Sequence, residues 1–401
     1  MSRNVRAHRW GVAGLGRAFS LMLPTFVADD RVLLVAAADP RAEARARFAS
    51  EFGADVYDSV EAMCASPAID VVYVATPHEL HAEHAALAAS NGKHVLVEKP
   101  MALSVDDCTR MIDAARRAGV ALVVGHSHSF DAPIGRARAL IESGRFGDVR
   151  MIQALYYTDF LYRPRRAEEL DTARGGGVVW NQAAHQVDIV RLLGGGRVST
   201  VRALTGRWDR RRDTEGAYAA LLTFADGPFA ALTYNGYGFF DADELCGWVG
   251  ELGAPKRPDA HGSARRTLGS ATDAVDELAF KNARNYGGIA HRASSPAEQA
   301  HQHFGMVVVS CQEADLRPLP TGVMIYDAGG SRLEPVPVSA VPRREVIDEL
   351  ETAIERGEPA RHDGAWARAT LEVCGAMLTS AAEHRDVTLV HQVPVRVGAS
   401  R

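Results

Sequence analysis

Between residues 8 and 125 the chain repeats one pattern: a short, unbroken apolar run, then an amphipathic stretch with helical period. The runs fall at 9–13, 32–38, 70–75, 94–97 and 121–125 and are rich in Val, Ala and Leu. A strand that is apolar on both faces must be covered on both faces. Parallel strands joined by crossover helices achieve this. The intervening stretches 17–28, 41–52, 79–91 and 104–119 supply the helices. Ser104 followed by Asp107 reads as an N-cap with an acidic first turn. Gly92 and Gly119 stand where helices should end. The expectation is an α/β, doubly wound parallel sheet of Rossmann type over residues 1–127.

After residue 148 the pattern changes. Strand-like stretches at 149–158, 198–208, 217–224 and 229–236 follow one another, and Asp226-Gly227 marks a hairpin turn. A helix is expected over about 181–193, with further helices at 343–356 and 364–385 that are available to pack back on the first domain. Residues 252–300, rich in Gly, Ala, Arg and Asp, read as a long loop or insertion. Residues 128–401 are therefore expected to form an α+β domain with an open, mostly antiparallel sheet for substrate binding and oligomerisation. A length of 401 residues suits two such domains.

Composition narrows the function classes. A net charge of −5 leaves no basic footprint for nucleic acid. No apolar run reaches membrane-spanning length. The charged start has no apolar signal core, so a cytoplasmic protein is expected. Cys64, Cys108, Cys246, Cys311 and Cys374 are scattered, which fits reduced thiols better than a disulfide framework or a zinc site.

Gly14-Leu15-Gly16 closes the first strand, and Arg17 and Ala18 open the first helix. Glycines there let the backbone approach a pyrophosphate at the positive end of a helix. The third position of that fingerprint is Phe19 instead of Gly or Ala. Asp39 ends the second strand 23 residues after Gly16, where a carboxylate accepts hydrogen bonds from an adenosine ribose. It repels a 2′-phosphate, so NAD is expected over NADP, with Arg41 softening that preference. Ala75-Thr76-Pro77-His78 follows the third strand at the same sheet edge. His78, His81 and His84 run along one helix and read as a cofactor-facing or solvated edge; no metal is expected, because ligands on one helix seldom converge on one ion.

Glu98-Lys99-Pro100 ends the fourth run. A lysine at such an edge can orient a hydroxyl or work with a lowered pKa. In Gly175-Gly-Gly-Val-Val-Trp-Asn-Gln-Ala-Ala-His185, Asn181 and His185 lie one turn apart, and the imidazole can exchange a proton near neutrality. His126, Ser127 and His128 end the last strand of the first domain and are expected to line a substrate cleft. Tyr162, Arg163 and Arg166 form a basic loop suited to clamping a carboxylate. The run Arg210-Arg211-Arg212 reads as plain surface.

These pieces together resemble the glucose–fructose oxidoreductase, inositol dehydrogenase and MocA family (Gfo/Idh/MocA). The matching segments are Gly11–Arg17, Ala75–His81, Gly92–Pro100 and the glycines, Asn and His of 175–185. The resemblance implies a dehydrogenase in which Lys99 and His185 act on the substrate hydroxyl during hydride transfer to NAD. It also shows two departures: His78 where the family commonly has Asn, and Asn181 where it commonly has Asp. Without that carboxylate an imidazolium at His185 is less stabilised; either the proton leaves by another route, through Lys99, or the substrate needs less help, as one whose oxidation is driven by aromatisation does. Gly125–Asp131, Gln182–Asp188 and Ala314–Pro318 are similar to the branch acting on phthalate-type cis-dihydrodiols, whose two carboxylates would use Arg163, Arg166 or Arg284. The alternatives are a sugar or polyol dehydrogenase, or a non-catalytic dinucleotide-binding sensor. A homodimer or homotetramer through the second domain's sheet is expected.

Overall fold

The computed structural model describes residues 7–260, 262–269, 274–291 and 300–396. The first half opens with β1 (His8–Ala13), α1 (Arg17–Ala28), β2 (Val32–Ala38), α2 (Ala42–Phe52), β3 (Asp55–Tyr57) and α3 (Val60–Cys64). It continues with β4 (Val71–Val74), α4 (His81–Ser90), β5 (His94–Val97), α5 (Val105–Ala118) and β6 (Leu122–Val124). The six strands pair in the order β3-β2-β1-β4-β5-β6, all parallel. The order reverses between β1 and β4, and ligands of doubly wound sheets bind at such a reversal. Ser104 accepts the Asp107 N–H at 3.0 Å, and Gly119 ends α5 in the left-handed region. Neither β3 nor α3 follows from sequence periodicity: β3 is a three-residue edge strand with no buried side chain. An aromatic core fills the space beneath α1, with Trp10 on Phe26 at 5.3 Å and Phe26 edge-on to Tyr73 at 5.2 Å.

The second half contains α6 (Ala132–Glu142), β7 (Val149–Tyr157), α7 (Ala184–Leu193), β8 (Val198–Gly206), β9 (Ala217–Phe224) and β10 (Phe229–Asn235). Then come α8 (Ser263–Leu268), α9 (Ala274–Ala283) and the strands β11 (Met306–Cys311), β12 (Ala314–Leu319), β13 (Gly322–Asp327) and β14 (Gly330–Pro335). The last elements are α10 (Arg344–Arg356), α11 (Gly364–Glu383) and β15 (Val387–Thr388). Nine strands form one open sheet, β14-β13-β12-β11-β7-β10-β9-β8-β15, in which only the β7–β10 pair is parallel. The turn at Asp226-Gly227 is the expected hairpin, with Gly227 at φ 104°. The meander β11–β14 is not announced by the sequence pattern.

The stretch read as a long loop contains two helices among its described residues, α8 and α9. Both are too short for a periodic signal, and tertiary ion pairing holds α9. Glu277 takes both oxygens to Arg212 Nη1, at 2.8 and 3.0 Å, and accepts the Arg165 N–H at 2.6 Å. Arg212 is therefore buried, contrary to the surface expectation, because its charge is matched inside the fold.

Two units divide the chain differently from a cut at residue 127. One comprises Met1–His126, Ala279–Ala297 and Ser339–Arg368, the other Ser127–Leu278, Glu298–Val338 and Ala369–Arg401. In the first, His8 Nδ1 meets Glu351 Oε1 of α10 at 3.0 Å, and Arg31 pairs with Asp348 at 2.7 Å. In the second, every residue of α7 is buried. Its polar side chains find partners: Arg191 donates to Gly196 O, Gln392 Oε1 and Thr370 Oγ1, while Asp188 accepts from Thr370 and Ser129. The sheet's other face shows Met151, Leu204, Leu221, Phe229, Tyr326 and Leu333, each more than a third exposed. The strand register places all six on that same face.

Candidate active site

At the end of β1, Gly14 adopts φ 94°, and a Cβ there would come within 2.7 Å of Ala75 O. Only glycine lets β1 turn this close to the end of β4. Gly16 is different: among the described residues, a Cβ at that position would meet no atom within 4 Å, and no side chain caps α1. Open space over uncapped helix N–H groups is what a pyrophosphate requires. Buried Asp39 accepts the Leu15 N–H at 2.7 Å on Oδ2 and the Arg41 N–H at 2.9 Å on Oδ1. The Arg41 guanidinium lies on the same carboxylate, with Nε 3.0 Å from Oδ1. These residues fit a dinucleotide: glycine cradle, free helix start, ribose-side carboxylate. Phe19, at the third fingerprint position, is fully buried against Phe48 at 5.8 Å and Tyr286 at 5.1 Å. The contact that a third glycine makes with its neighbouring elements is replaced here by aromatic packing.

The histidines separate in role. His81 is fully buried, with Nδ1 2.9 Å from Pro100 O and Nε2 2.9 Å from Thr76 O. It is not a cofactor-facing edge, since both ring nitrogens are engaged by carbonyls from the two loops it joins. His84 meets the Thr76 hydroxyl at 3.1 Å, and the partly exposed His78 ring lies 5.6 Å from His81. Thr76 and Pro77 remain at the β4 end beside Ala75. Glu98 is buried and accepts the Tyr73 hydroxyl at 2.5 Å; burial pushes its carboxyl up. Glu98 thus anchors the strand end, while Lys99 beside it is partly exposed. His126 ends the first segment of this unit, and Arg284 also belongs to it, whereas Arg163 and Arg166 belong to the second unit.

In the second unit, a π-helical turn at Val179–Ala183 leads into α7. Asn181 lies in this π turn and His185 on α7. Asn181 Nδ2 donates to Gly177 O at 2.8 Å and Gly175 O at 3.3 Å, tying down the glycine loop. A carboxylate cannot donate, which explains amide in place of acid at this position. Gly177, at φ 80°, leaves room for Glu215, whose Oε1 accepts the Val179 N–H at 3.1 Å. Burial pushes the Glu215 carboxyl up.

The His185 ring packs 4.8 Å from His128 and 4.8 Å from Phe304. His128 Nδ1 meets Asp131 at 2.7 Å, and its Nε2 lies 3.9 Å from Glu251. Burial disfavours charge on His128, but the two carboxylates outweigh it and raise its pKa to about 8. Burial alone would raise Glu251; the Arg163 guanidinium and His128 hold it well below the usual carboxylate range. Arg163 Nη2 donates to Glu251 at 3.2 Å. The Tyr162 hydroxyl donates to Asp209 at 2.9 Å, and Arg166 donates its backbone N–H to Glu169 at 2.7 Å. Among the described residues, the buried Ser127 hydroxyl has no hydrogen-bond partner. Expected residues Ser127, His128 and His185 therefore gather with Asp131, Glu251 and Phe304, which sequence reasoning missed. Only Asp131 had a signal: its spacing of three from His128.

Residues 8–126 match the oxidoreductase family with an NAD-binding Rossmann fold, and residues 134–246 match the GFO/IDH/MocA C-terminal domain. A relative from Comamonas testosteroni, 1-carboxy-3-chloro-3,4-dihydroxycyclohexa-1,5-diene dehydrogenase, is 49% identical over 372 residues, 92% of this chain and 94% of that one. The chain belongs to the Gfo/Idh/MocA oxidoreductases. A crystal structure assigned to a dehydrogenase from Bordetella bronchiseptica RB50 superposes with a TM-score of 0.89 at 42% identity, covering 96% of this chain and 100% of that one. The trans-1,2-dihydrobenzene-1,2-diol dehydrogenase of Xenopus laevis is 32% identical over 192 residues, 47% of this chain and 57% of its own length. This member of the family is a dehydrogenase, and its cofactor is NAD. Among the described residues, no helix is long and apolar enough to cross a membrane.

Two measurements follow from the second unit. Asn181→Asp strips donors from two carbonyls and is expected to cost about 1–3 kcal/mol of stability in urea unfolding. An unchanged midpoint would contradict the loop-tying role. For His128, a folded pKa of about 8 against an ordinary 6.5 means stabilisation that is complete below about pH 6.5 and lost as pH rises through about 8. Its size is about 2 kcal/mol. Urea unfolding in buffers on either side of that window should show the decline, and His128→Gln should flatten it.

Proposed function

We propose that this dehydrogenase oxidises a ring cis-dihydrodiol bearing a carboxylate, in its narrower form a phthalate-type dihydrodiol diacid. The observation that carries the reading is the likeness, along nearly the whole chain, to a relative named for a carboxylated dihydroxycyclohexadiene. Bound NAD supplies the hydride acceptor. Lys99 hydrogen-bonds the reacting hydroxyl, and His185 accepts its proton. The resulting hydroxyketone tautomerises to a catechol, so aromatisation supplies driving force. That lessens the need for a carboxylate behind His185, in keeping with an Asn181 spent on the glycine loop.

Charge bears on the number of carboxylates. Arg163 lies on Glu251, Arg166 beside Glu169, and Arg212 on Glu277. One substrate carboxylate can share Arg163 with Glu251, near His128; a second has to compete with an internal acid. NAD reduction should therefore be measured with dihydrodiols carrying no, one and two carboxylates, beside myo-inositol and glucose. Turnover of an acid-bearing dihydrodiol is expected, and Lys99→Met should lower kcat by about 10²–10⁴. Turnover confined to the polyols would overturn the substrate class, and nearly full activity of Lys99→Met would overturn the mechanism.

The apolar face of the nine-stranded sheet supports a homodimer or homotetramer, because a monomer seldom leaves so broad an apolar surface in water. Light scattering at micromolar concentration is expected to give a multiple of the chain mass, and Leu221→Glu to reduce it. A monomeric wild type would refute this assembly.

A further inference from the structure

Asp39 and Arg41 are paired at the ribose end of the dinucleotide site. The acid that should receive ribose hydroxyls is covered by a cation two residues away. A guanidinium in this place could in principle swing outward and bind a 2′-phosphate, converting the preference to NADP. The structure shows what opposes that movement. Arg41 Nη2 donates to Leu15 O at 2.7 Å and to Asp39 Oδ2 at 3.2 Å, while Nη1 donates to Tyr286 O at 3.3 Å. The third anchor comes from far along the chain, in the segment read from sequence as an insertion.

Tyr286 is itself firmly seated. Its ring is fully buried, edge-on to Phe19 at 5.1 Å and to Phe48 at 6.3 Å. The Arg47 guanidinium lies 4.9 Å from the ring centroid, and the hydroxyl donates to Glu51 at 2.6 Å. Next to it, Gly287 packs on α2, where a Cβ would stand 3.4 Å from Ala44 Cα. The Tyr286 ring is thus a plug in the aromatic pocket beneath the glycine loop, and its carbonyl is a fixed acceptor for Arg41. The pocket exists because Phe19 replaces the small third residue of the fingerprint, so the departure and the plug belong together.

We propose that Tyr286 is a specificity-determining residue of the dinucleotide site, clamping Arg41 onto Asp39 so that the guanidinium is withheld from a 2′-phosphate and NAD is selected over NADP. Arg41 then does not soften the preference; it is held as part of the device that enforces it.

The test is binding, read by isothermal titration calorimetry of NAD and NADP to the cofactor-free protein, with circular dichroism confirming the fold. Tyr286→Ala is expected to weaken NAD and strengthen NADP, shifting the affinity ratio roughly tenfold, the worth of one charge-assisted hydrogen bond. Tyr286→Phe keeps the plug and should keep the ratio. Arg41→Ala added to Tyr286→Ala should abolish the gain in NADP affinity. Tyr286→Leu, which retains apolar bulk, reports the same shift in smaller measure if the alanine variant does not fold. In the unmodified protein, NAD should slow hydrogen exchange at residues 286–288 more than NADP does. An unchanged NAD/NADP ratio in a folded Tyr286→Ala or Tyr286→Leu protein would overturn the proposal. So would a gain in NADP affinity that survives loss of Arg41, or equal exchange protection by the two dinucleotides.

Discussion

The hydrogen bond from the Leu15 N–H to the Asp39 carboxylate is the contact on which the first unit's function depends. It joins the turn after β1 to the end of β2, and with Gly14 pressed against Ala75 it sets the edge of the sheet at its point of reversal. The glycine loop can stand open above α1 only because its backbone is held from below. Buried Asp39 accepts N–H groups from Leu15 and Arg41, so its oxygens are satisfied by protein donors. The Arg41 guanidinium lies on the same carboxylate, so the acid and its cation stand together at the ribose end of the dinucleotide site.

A comparable logic governs the second unit. α7 is buried along its length, yet it carries His185, Gln186, Asp188 and Arg191. Each of the last three meets a partner from a strand, a helix or a loop, which makes the helix position rigid. His185 sits on this rigid element, next to a His128 whose proton is held by Asp131 and Glu251. Proton-handling groups on an ordered scaffold keep their geometry through a reaction. The π turn and the Asn181 bonds to the glycine carbonyls place the start of α7 in the same way.

Legibility followed the range of the interaction. The parallel sheet was readable because strands covered on both faces leave continuous apolar runs, and β2, α1 and β5 fall where the runs predicted. Short elements such as β3 and α3 offered too few residues for a period. His81 shows the limit of motif reading: its spacing with His78 suggested a shared edge, but only the fold reveals carbonyls at both of its nitrogens. Arg212 shows the same limit for charge, because its partner Glu277 lies 65 residues away.

The sequence by itself determined the fold class and the family, because those signals are local in spacing and residue type. Only the tertiary structure decided that Asn181 serves a loop, that His128 holds a proton between two acids, and that Tyr286 reaches back to Arg41. Each of those depends on partners far apart in sequence, and charge and hydrogen-bond satisfaction in a buried environment are set by whatever the fold brings within about 3 Å, not by neighbours along the chain.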